Sequence, residues 1–260
     1  MQAYVTRGIK DIIAELPAVE KILEEYGIGC GPCTVGICQL TDILEIHKMS
    51  RVAEEELMLR IEAEIYPERN IAVQSHTATL QNSSSEKIYY SGALQILVDE
   101  HKLIKRWLAL IPYLAKNLDL TSEKDRQVVE DGIDLIRCYA DRLHHGKEED
   151  ILFTYFDDTA DIFRVIYEDH RRARSLVQEM LGALDEKHTK KLASSMLEYA
   201  VLLEEHIHKE DEVLFPWLDS RLTEEEKEEL VTRFELSDRN LAMDGRKYQS
   251  FIERLEQQVK

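Results

Sequence analysis

Proline and glycine are scarce in this sequence, which has 5 and 10 of them among 260 residues. Both residues punctuate turns, so their scarcity disfavours a fold of many short strands. The sequence also lacks any run of eighteen apolar residues, so we expect no transmembrane helix and no membrane partner. Hydrophobic residues still make up 44% of the chain, which is ordinary for a globular protein. Together these features favour long helices packed around a hydrophobic core.

Positively charged residues are outnumbered by negatively charged ones: the chain has 33 Lys and Arg residues, 51 Asp and Glu residues and a net charge of −18. A surface this acidic repels phosphate backbones, so we expect no nucleic-acid partner. The chain has 4 cysteines, and its first segment, MQAYVTRGIKDIIAEL, lacks the basic and apolar regions of a secretory signal. We therefore expect a cytoplasmic protein whose thiols are free or bound to metal rather than joined in disulfides.

Apolar residues recur at helical spacing along most of the chain and predict an all-α fold. Residues 1–70 form a small helical domain that contains a cysteine loop, and residues 71–87, rich in Ser, Thr, Asn and Gln, form a linker. Four long helical patterns with short connections fill residues 88–220 and predict an up-down-up-down four-helix bundle. Residues 221–260 form a C-terminal helical extension, whose first, short helix begins at a capping box of Thr223 and Glu226.

One segment of the second long helix is repeated in the fourth. HHGKEEDILF at residues 144–153 returns as HIHKEDEVLF at residues 206–215, so that His144 aligns with His206 and Glu148 with Glu210. Residues four apart lie on the same face of a helix, with Cβ atoms about 5–6 Å apart. The imidazole and the carboxylate of each copy can therefore bind the same metal site.

A further histidine precedes each copy on an apolar helical stripe. A single histidine in such a place is more often a hydrogen-bonded core residue than a metal ligand, and a single His-x-x-x-Glu is often an exposed pair. Two carboxylates on core stripes are costly to bury without partners, however, and a metal offsets that cost. The doubled pattern therefore predicts a metal site in the bundle core with six ligands: His101, His144, Glu148, His170, His206 and Glu210.

The ligand types narrow the choice of metal. Cysteine is missing from these helix faces, which disfavours structural zinc, and imidazole combined with carboxylate suits iron, manganese or zinc. Six ligands are too many for a single metal that keeps an open position. We therefore predict two iron ions, bridged by Glu148, Glu210 and an oxo group and each capped by two histidines, and regard manganese or zinc as less favoured.

The six residues and their flanking Lys-Glu and Leu-Phe pairs resemble the hemerythrin-like HHE cation-binding domain over about residues 88–218. Four histidines and two glutamates are closer to the RIC (repair of iron centres) di-iron proteins than to oxygen-carrying hemerythrins, which use five histidines, a glutamate and an aspartate. His145 and His208 fall one and two places beyond the aligned histidines, so we expect them behind the ligands or on the surface.

The resemblance implies a non-haem di-iron protein that responds to nitric oxide or oxidative stress, and that donates iron to an iron–sulfur protein partner during cluster repair. It leaves two alternatives open. One is a module that binds or senses O2 or NO without turnover, and the other is an iron store or carrier. Whether the protein is an enzyme stays open at this stage.

Three cysteines form a C-x-x-C-x-x-x-x-C pattern at Cys30, Cys33 and Cys38. The preceding stretch, AVEKILEEYGIGCGPC, resembles the short helical domain that precedes the di-iron domain in RIC proteins. Three roles are open: thiol redox chemistry, transient handling of iron or an iron–sulfur cluster, and zinc binding with His47 as a fourth ligand. The alternative is a simple turn in which Cys38 is a small buried apolar residue. Cys138 is expected to be a buried helix residue.

Overall fold

The computed structural model describes residues 4, 7–26, 28, 39–40, 51–69, 71, 90–156, 161–241 and 245–259. The chain divides into two compact units, residues 1–89 and residues 90–260. The predicted linker lies almost entirely outside the described residues, and so do Cys30, Cys33, Cys38 and His47. The roles suggested for the cysteine loop therefore stay predictions.

The first unit contains three described α-helices, α1 (Ile9–Glu15), α2 (Ala18–Glu25) and α3 (Arg51–Ile65), and a 3₁₀ turn at Pro67–Arg69. Pro17 directly precedes α2, where its fixed φ suits a helix start and its missing N–H costs no hydrogen bond. One apolar cluster holds this unit together, and its fully buried members include Ile12, Val19, Leu23, Leu40, Leu57 and Ile61.

The second unit is a helical bundle whose main helices are α4 (Gly92–Asn117), α5 (Glu123–Leu135), α6 (Asp161–Asp185) and α7 (Thr189–Lys209). Helix α7 packs against both α4 and α6, and the helix that continues from α5 packs against α4 and α6, which closes the bundle. Apart from a single β-bridge between Gly8 and Gln39, the described part of the chain contains no strand. The predicted all-α fold is confirmed.

The helices widen where the repeated sequence occurs. Helix α5 continues as a π-helix over Ile136–His145, and a second π-helical segment covers Glu148–Leu152. The second copy has a matching segment at Glu210–Leu214, followed by the short helix α8 (Phe215–Asp219), but its preceding residues form the regular α-helix α7. A π-helix bonds residue i to i+5, so it changes which side chains face the core. The two copies therefore share one widened segment and differ in the other.

Two apolar clusters fill the bundle, one on each side of the layer that holds the predicted ligands. The first cluster includes Ile104, Ala140, Ala173 and Leu203, and the second includes Leu97, Leu152, Ile166 and Leu214. Each main helix, taken with the π-helical segments that continue α5 and α7, thus contributes apolar residues both before and after the predicted ligands. The predicted ligands consequently lie deep inside the bundle, away from either end.

Two more helices, α9 (Glu224–Leu241) and α10 (Gly245–Val259), pack on the bundle within the second unit. The predicted capping box is confirmed, because the Thr223 backbone N–H donates to Glu226 Oε2 at 2.7 Å and the Glu226 N–H donates to Thr223 Oγ1 at 3.3 Å. Helix α9 is longer than the short helix predicted from the sequence, since Leu230 and Phe234, one turn apart, are both fully buried. In the part of the chain that the structure describes, every helix is too short or too polar to cross a membrane.

We predict that Gly132→Ala destabilises the second unit, because a Cβ at Gly132 would lie 2.4 Å from two ring carbons of the buried Trp107. Overpacking of this kind costs about 1–3 kcal/mol. Gly182→Ala is the matched control, since a Cβ at this other helical glycine meets no atom within 4 Å. It should stabilise the protein by about 0.5–1 kcal/mol. Denaturant unfolding of both variants measures the two changes, and equal effects would contradict the packing argument.

Candidate metal centre

The six predicted ligands all lie inside the bundle, each 1% exposed or less. Together with His145, which was not among the predicted ligands, their side-chain nitrogen and oxygen atoms form two clusters in which every atom lies within 4.8 Å of the others. One cluster contains His101, His144, Glu148 and Glu210, and the other contains His145, Glu148, His170 and His206. Glu148 belongs to both clusters and therefore lies where one carboxylate can contact two metal positions.

The four predicted histidines turn the same ring nitrogen, Nε2, toward the two glutamates. Each glutamate faces one histidine from each copy of the repeat. The shortest Nε2-to-carboxylate distance of each histidine is 3.5 Å for His144–Glu148, 3.5 Å for His170–Glu148, 3.2 Å for His206–Glu210 and 3.2 Å for His101–Glu210. His170 Nε2 also lies 3.9 Å from Glu210. The centre therefore has a pseudo-two-fold arrangement that follows the sequence repeat.

The other ring nitrogen, Nδ1, of each predicted histidine faces an outer carboxylate. The pairs are His101–Asp211 at 2.8 Å, His144–Glu100 at 3.0 Å, His170–Glu149 at 2.6 Å and His206–Asp169 at 3.5 Å. A carboxylate in this position favours the tautomer with hydrogen on Nδ1, which leaves the Nε2 lone pair free for a metal. The imidazoles are thus oriented as ligands by the protein itself.

Sequence reasoning missed these four acids, although each one directly precedes or follows a predicted ligand. The acid before the lone histidine recurs as Glu100 and Asp169, and the acid after the buried glutamate of each repeat recurs as Glu149 and Asp211. Runs such as KEED and KEDE are usually solvated helix faces, which is why the sequence reasoning gave these acids no role. Their repetition at matching places in both copies was the available signal.

Cations complete the shell around these acids. Lys209 contacts Asp169 at 2.7 Å, Lys105 contacts Asp211 at 2.5 Å, and Arg174 contacts Glu149 at 2.8 Å. Lys147, fully buried, is paired with Glu100.

The C-terminal extension takes part in this shell. The ammonium group of Lys147 also contacts Asp238 on helix α9 at 2.7 Å. A continuous series of charged contacts therefore runs from Asp238 through Lys147 and Glu100 to His144. The orientation of this imidazole depends in part on the extension.

The pKa values of the buried groups are shifted by burial and by the charges of their close neighbours. Burial and the neighbouring Glu210 raise the pKa of Glu148 well above its usual range. Burial acts in the same direction on Glu210, but the charge of His206 and the close approach of the His101 and His170 rings outweigh burial and hold the pKa of Glu210 well below that range. Burial lowers the pKa of His206, but Glu210 and Asp169 outweigh it and raise that pKa to about 9. Burial, with His101 next, keeps the pKa of His144 well below its usual value.

The inner atoms fit metal ions. All four carboxylate oxygens of Glu148 and Glu210, and Nε2 of His101 and His144, are buried and make no hydrogen bond within the described residues. The glutamate oxygens lie close to the histidine nitrogens, but these atoms are not aligned as a hydrogen bond requires. An unsatisfied buried polar group costs about 1–3 kcal/mol, and more if charged, so a cation that accepts several of these lone pairs removes a substantial cost. The set of imidazole and carboxylate donors suits iron, manganese or zinc.

His145 departs from expectation, whereas His208 does not. We expected both residues to lie behind the ligands or on the surface, and His208 is exposed. His145 is only 2% exposed, and its ring stacks on that of His170 with a centroid distance of 3.8 Å and an interplanar angle of 15°. The prediction assumed regular α-helical spacing, but His145 ends the π-helix Ile136–His145. There, the wider turn brings two successive histidines into the core.

We predict that Glu100→Gln weakens metal binding by about 10–100-fold, the usual effect of losing a carboxylate that orients a metal-binding histidine. The amide keeps the shape of the side chain but loses the charge that faces both His144 and Lys147. Asp99→Asn is the matched control, because Asp99 is the neighbouring acid and its side chain is 54% exposed. Competition with a chelator measures both affinities. A loss of equal size in the two variants would contradict the orienting role of Glu100.

Comparison with known proteins agrees with this geometry. Residues 92–218 match the family model described as the Hemerythrin HHE cation binding domain. This segment includes the six predicted ligands and the four outer carboxylates. No solved structure gives a significant match.

Two uncharacterized proteins, one from Mycobacterium tuberculosis (strain H37Rv) and one from Mycobacterium bovis, are each 26% identical to this chain over 148 residues. The alignments cover 54% of this chain and 58% of each relative, so the chain spans little more than half the length of these relatives. The family match is the more informative finding: residues 92–218 are similar to a cation-binding domain, and the buried His and Glu residues of this segment form two clusters that could hold a metal ion.

Proposed function

We propose that the HHE segment holds two iron ions and that this di-iron centre reacts with a small diatomic molecule, nitric oxide or O2. The observation that carries the proposal is the position of Glu148, which belongs to two ligand clusters at once. His101 and His144 would hold one iron and His170 and His206 the other, with Glu148 and Glu210 between them. Bound iron supplies the redox chemistry and an open coordination position for the diatomic.

The protein residues would orient and protect the iron pair. The outer carboxylates hold each imidazole with Nε2 toward the centre, and the two apolar clusters keep bulk water away from both sides of the ligand layer. A dry surrounding of this kind strengthens every charge interaction at the centre. The lysines and the arginine of the shell balance the outer acids.

The burial of the site favours a small reactant. All six proposed ligands are inaccessible to a large substrate. A cavity of about 370 Å³ lies beside the cluster, with His145, Asp141 and Arg174 in its lining together with apolar residues of the facing helices. A diatomic molecule could approach the centre on this side, whereas a larger substrate would require the helices to separate.

The more specific part of the proposal is a response to nitric oxide or oxidative stress, with donation of iron to a damaged iron–sulfur protein. It is supported by the sequence resemblance to RIC proteins and by the cysteine loop, which lies outside the described residues. A sensing module and an iron store are the competing functions. Turnover of nitric oxide separates a reactive centre from a sensor, and rapid transfer of iron to an apo-protein acceptor supports donation or storage.

We predict that His206→Ala and Glu148→Ala each reduce the bound iron from two ions per chain to one or none, because each removes a proposed ligand. The matched controls are His208→Ala and Asp150→Ala, which remove exposed side chains two residues away. Metal analysis after anaerobic reconstitution measures the stoichiometry. Retention of two irons in either of the first two variants would refute the ligand assignment.

We also predict that addition of nitric oxide to the reduced iron-loaded protein, without oxygen, changes its visible spectrum. The metal-free protein should show no change, since the open position exists only on bound iron. A spectrum that stays unchanged in the iron-loaded protein on addition of both nitric oxide and O2 would contradict diatomic binding. Detection of nitrous oxide as a product would identify turnover.

A further inference from the structure

The pseudo-two-fold arrangement of the centre is broken at one buried position. Alignment of the two repeats places His145 opposite Ile207, and both side chains are buried, at 2% and 1% exposure. The cluster around His170 and His206 therefore has a third imidazole, whereas the residue aligned with it in the second copy, Ile207, has no donor atom to offer. The two halves of the centre differ in their donor atoms.

His145 has the surroundings of a ligand. One of its ring nitrogens lies within 4.8 Å of ligand atoms of Glu148, His170 and His206. Its Nδ1 faces Asp141 at 3.6 Å, so this ring has an outer carboxylate as the other four histidines do. Arg174 bonds both Asp141 and Glu149, each at 2.8 Å. One guanidinium thus connects the acids behind the two stacked imidazoles.

The ordinary alternative is a core histidine that is satisfied by hydrogen bonds. Its Nδ1 is buried and makes no hydrogen bond in the described part of the chain, which argues against that alternative. Simple filling of space does not explain the position either, because Ile207 fills the equivalent position without polar atoms. The ring is placed where a metal in the second cluster could accept its lone pair.

We propose that His145 is a third imidazole ligand to the metal on the His170–His206 side, so that the centre has one nitrogen-rich and one oxygen-rich position. This inference rests on the proposed two-metal function. The first cluster gathers three imidazoles and Glu148, whereas the second gathers two imidazoles with both Glu148 and Glu210. Imidazole favours iron, cobalt or zinc, whereas carboxylate-rich sites suit manganese. A late divalent ion should therefore occupy the His145 side first.

The test is an anaerobic Co²⁺ titration of the metal-free full-length chain, followed by calorimetry and by the visible bands of the bound cobalt. The wild-type protein should bind two ions in unequal steps. His145→Ile, which copies the residue at position 207, should weaken the first step by at least the roughly 10–100-fold that loss of an outer carboxylate causes. It should also shift the cobalt bands of that step and leave the second step in place. His208→Ala, which removes an exposed imidazole, should match the wild type.

A second variant separates ligation from packing. His145→Ala leaves space beside the existing cavity, so added imidazole should restore the tight first step and its cobalt bands. A ring that only fills space would leave the cobalt bands unchanged in both variants, and that result would overturn the inference while two ions still bind. If the wild-type chain binds fewer than two ions, the proposed function fails as well, so the two failures are distinguishable.

Discussion

The constraint on which the bundle depends is the burial of two glutamate side chains between two apolar clusters. Glu148 and Glu210 are fully buried, and their four oxygens make no hydrogen bond among the described residues. Such a pair is costly unless positive charge lies within contact distance. The four facing imidazoles provide the donors that can share a cation with these carboxylates, so the core of this bundle is organised for metal binding as well as for packing.

The next layer explains how four imidazoles are held in one orientation. Each Nδ1 faces an acid, and each acid contacts a lysine or an arginine, so charge alternates outward from the centre. Several of the many acidic residues of this chain therefore share one purpose, which is to orient the buried histidines. This arrangement also connects the helices to each other, because the acid that orients a histidine comes from a different helix. The bundle and its metal centre are therefore stabilised by the same contacts.

The sequence was sufficient to predict the helical fold, the capping box and the six residues that meet in the core. The repeat supplied this information, because a pattern that occurs twice identifies aligned residues with more force than a single motif. The burial of His145 against His170 could not be predicted, because the π-helix Ile136–His145 depends on how the helix packs, and regular α-helical spacing would point that ring away from the core. The contacts of the outer acids could not be predicted for a similar reason. A charged residue beside a predicted ligand is expected to face solvent unless the residues of the facing helix are known.

Sequence alone thus determined which residue types recur on the apolar stripes, and hence which donor groups meet in the core. Tertiary structure decided which partners face each other: Asp211 with His101, Glu100 with His144, and Asp238 of the extension with Lys147. It also decided that the two halves of the centre differ at His145. The physical reason is that periodicity along one helix is a local property, whereas the contacts of a ring or a carboxylate depend on helices that are distant in sequence.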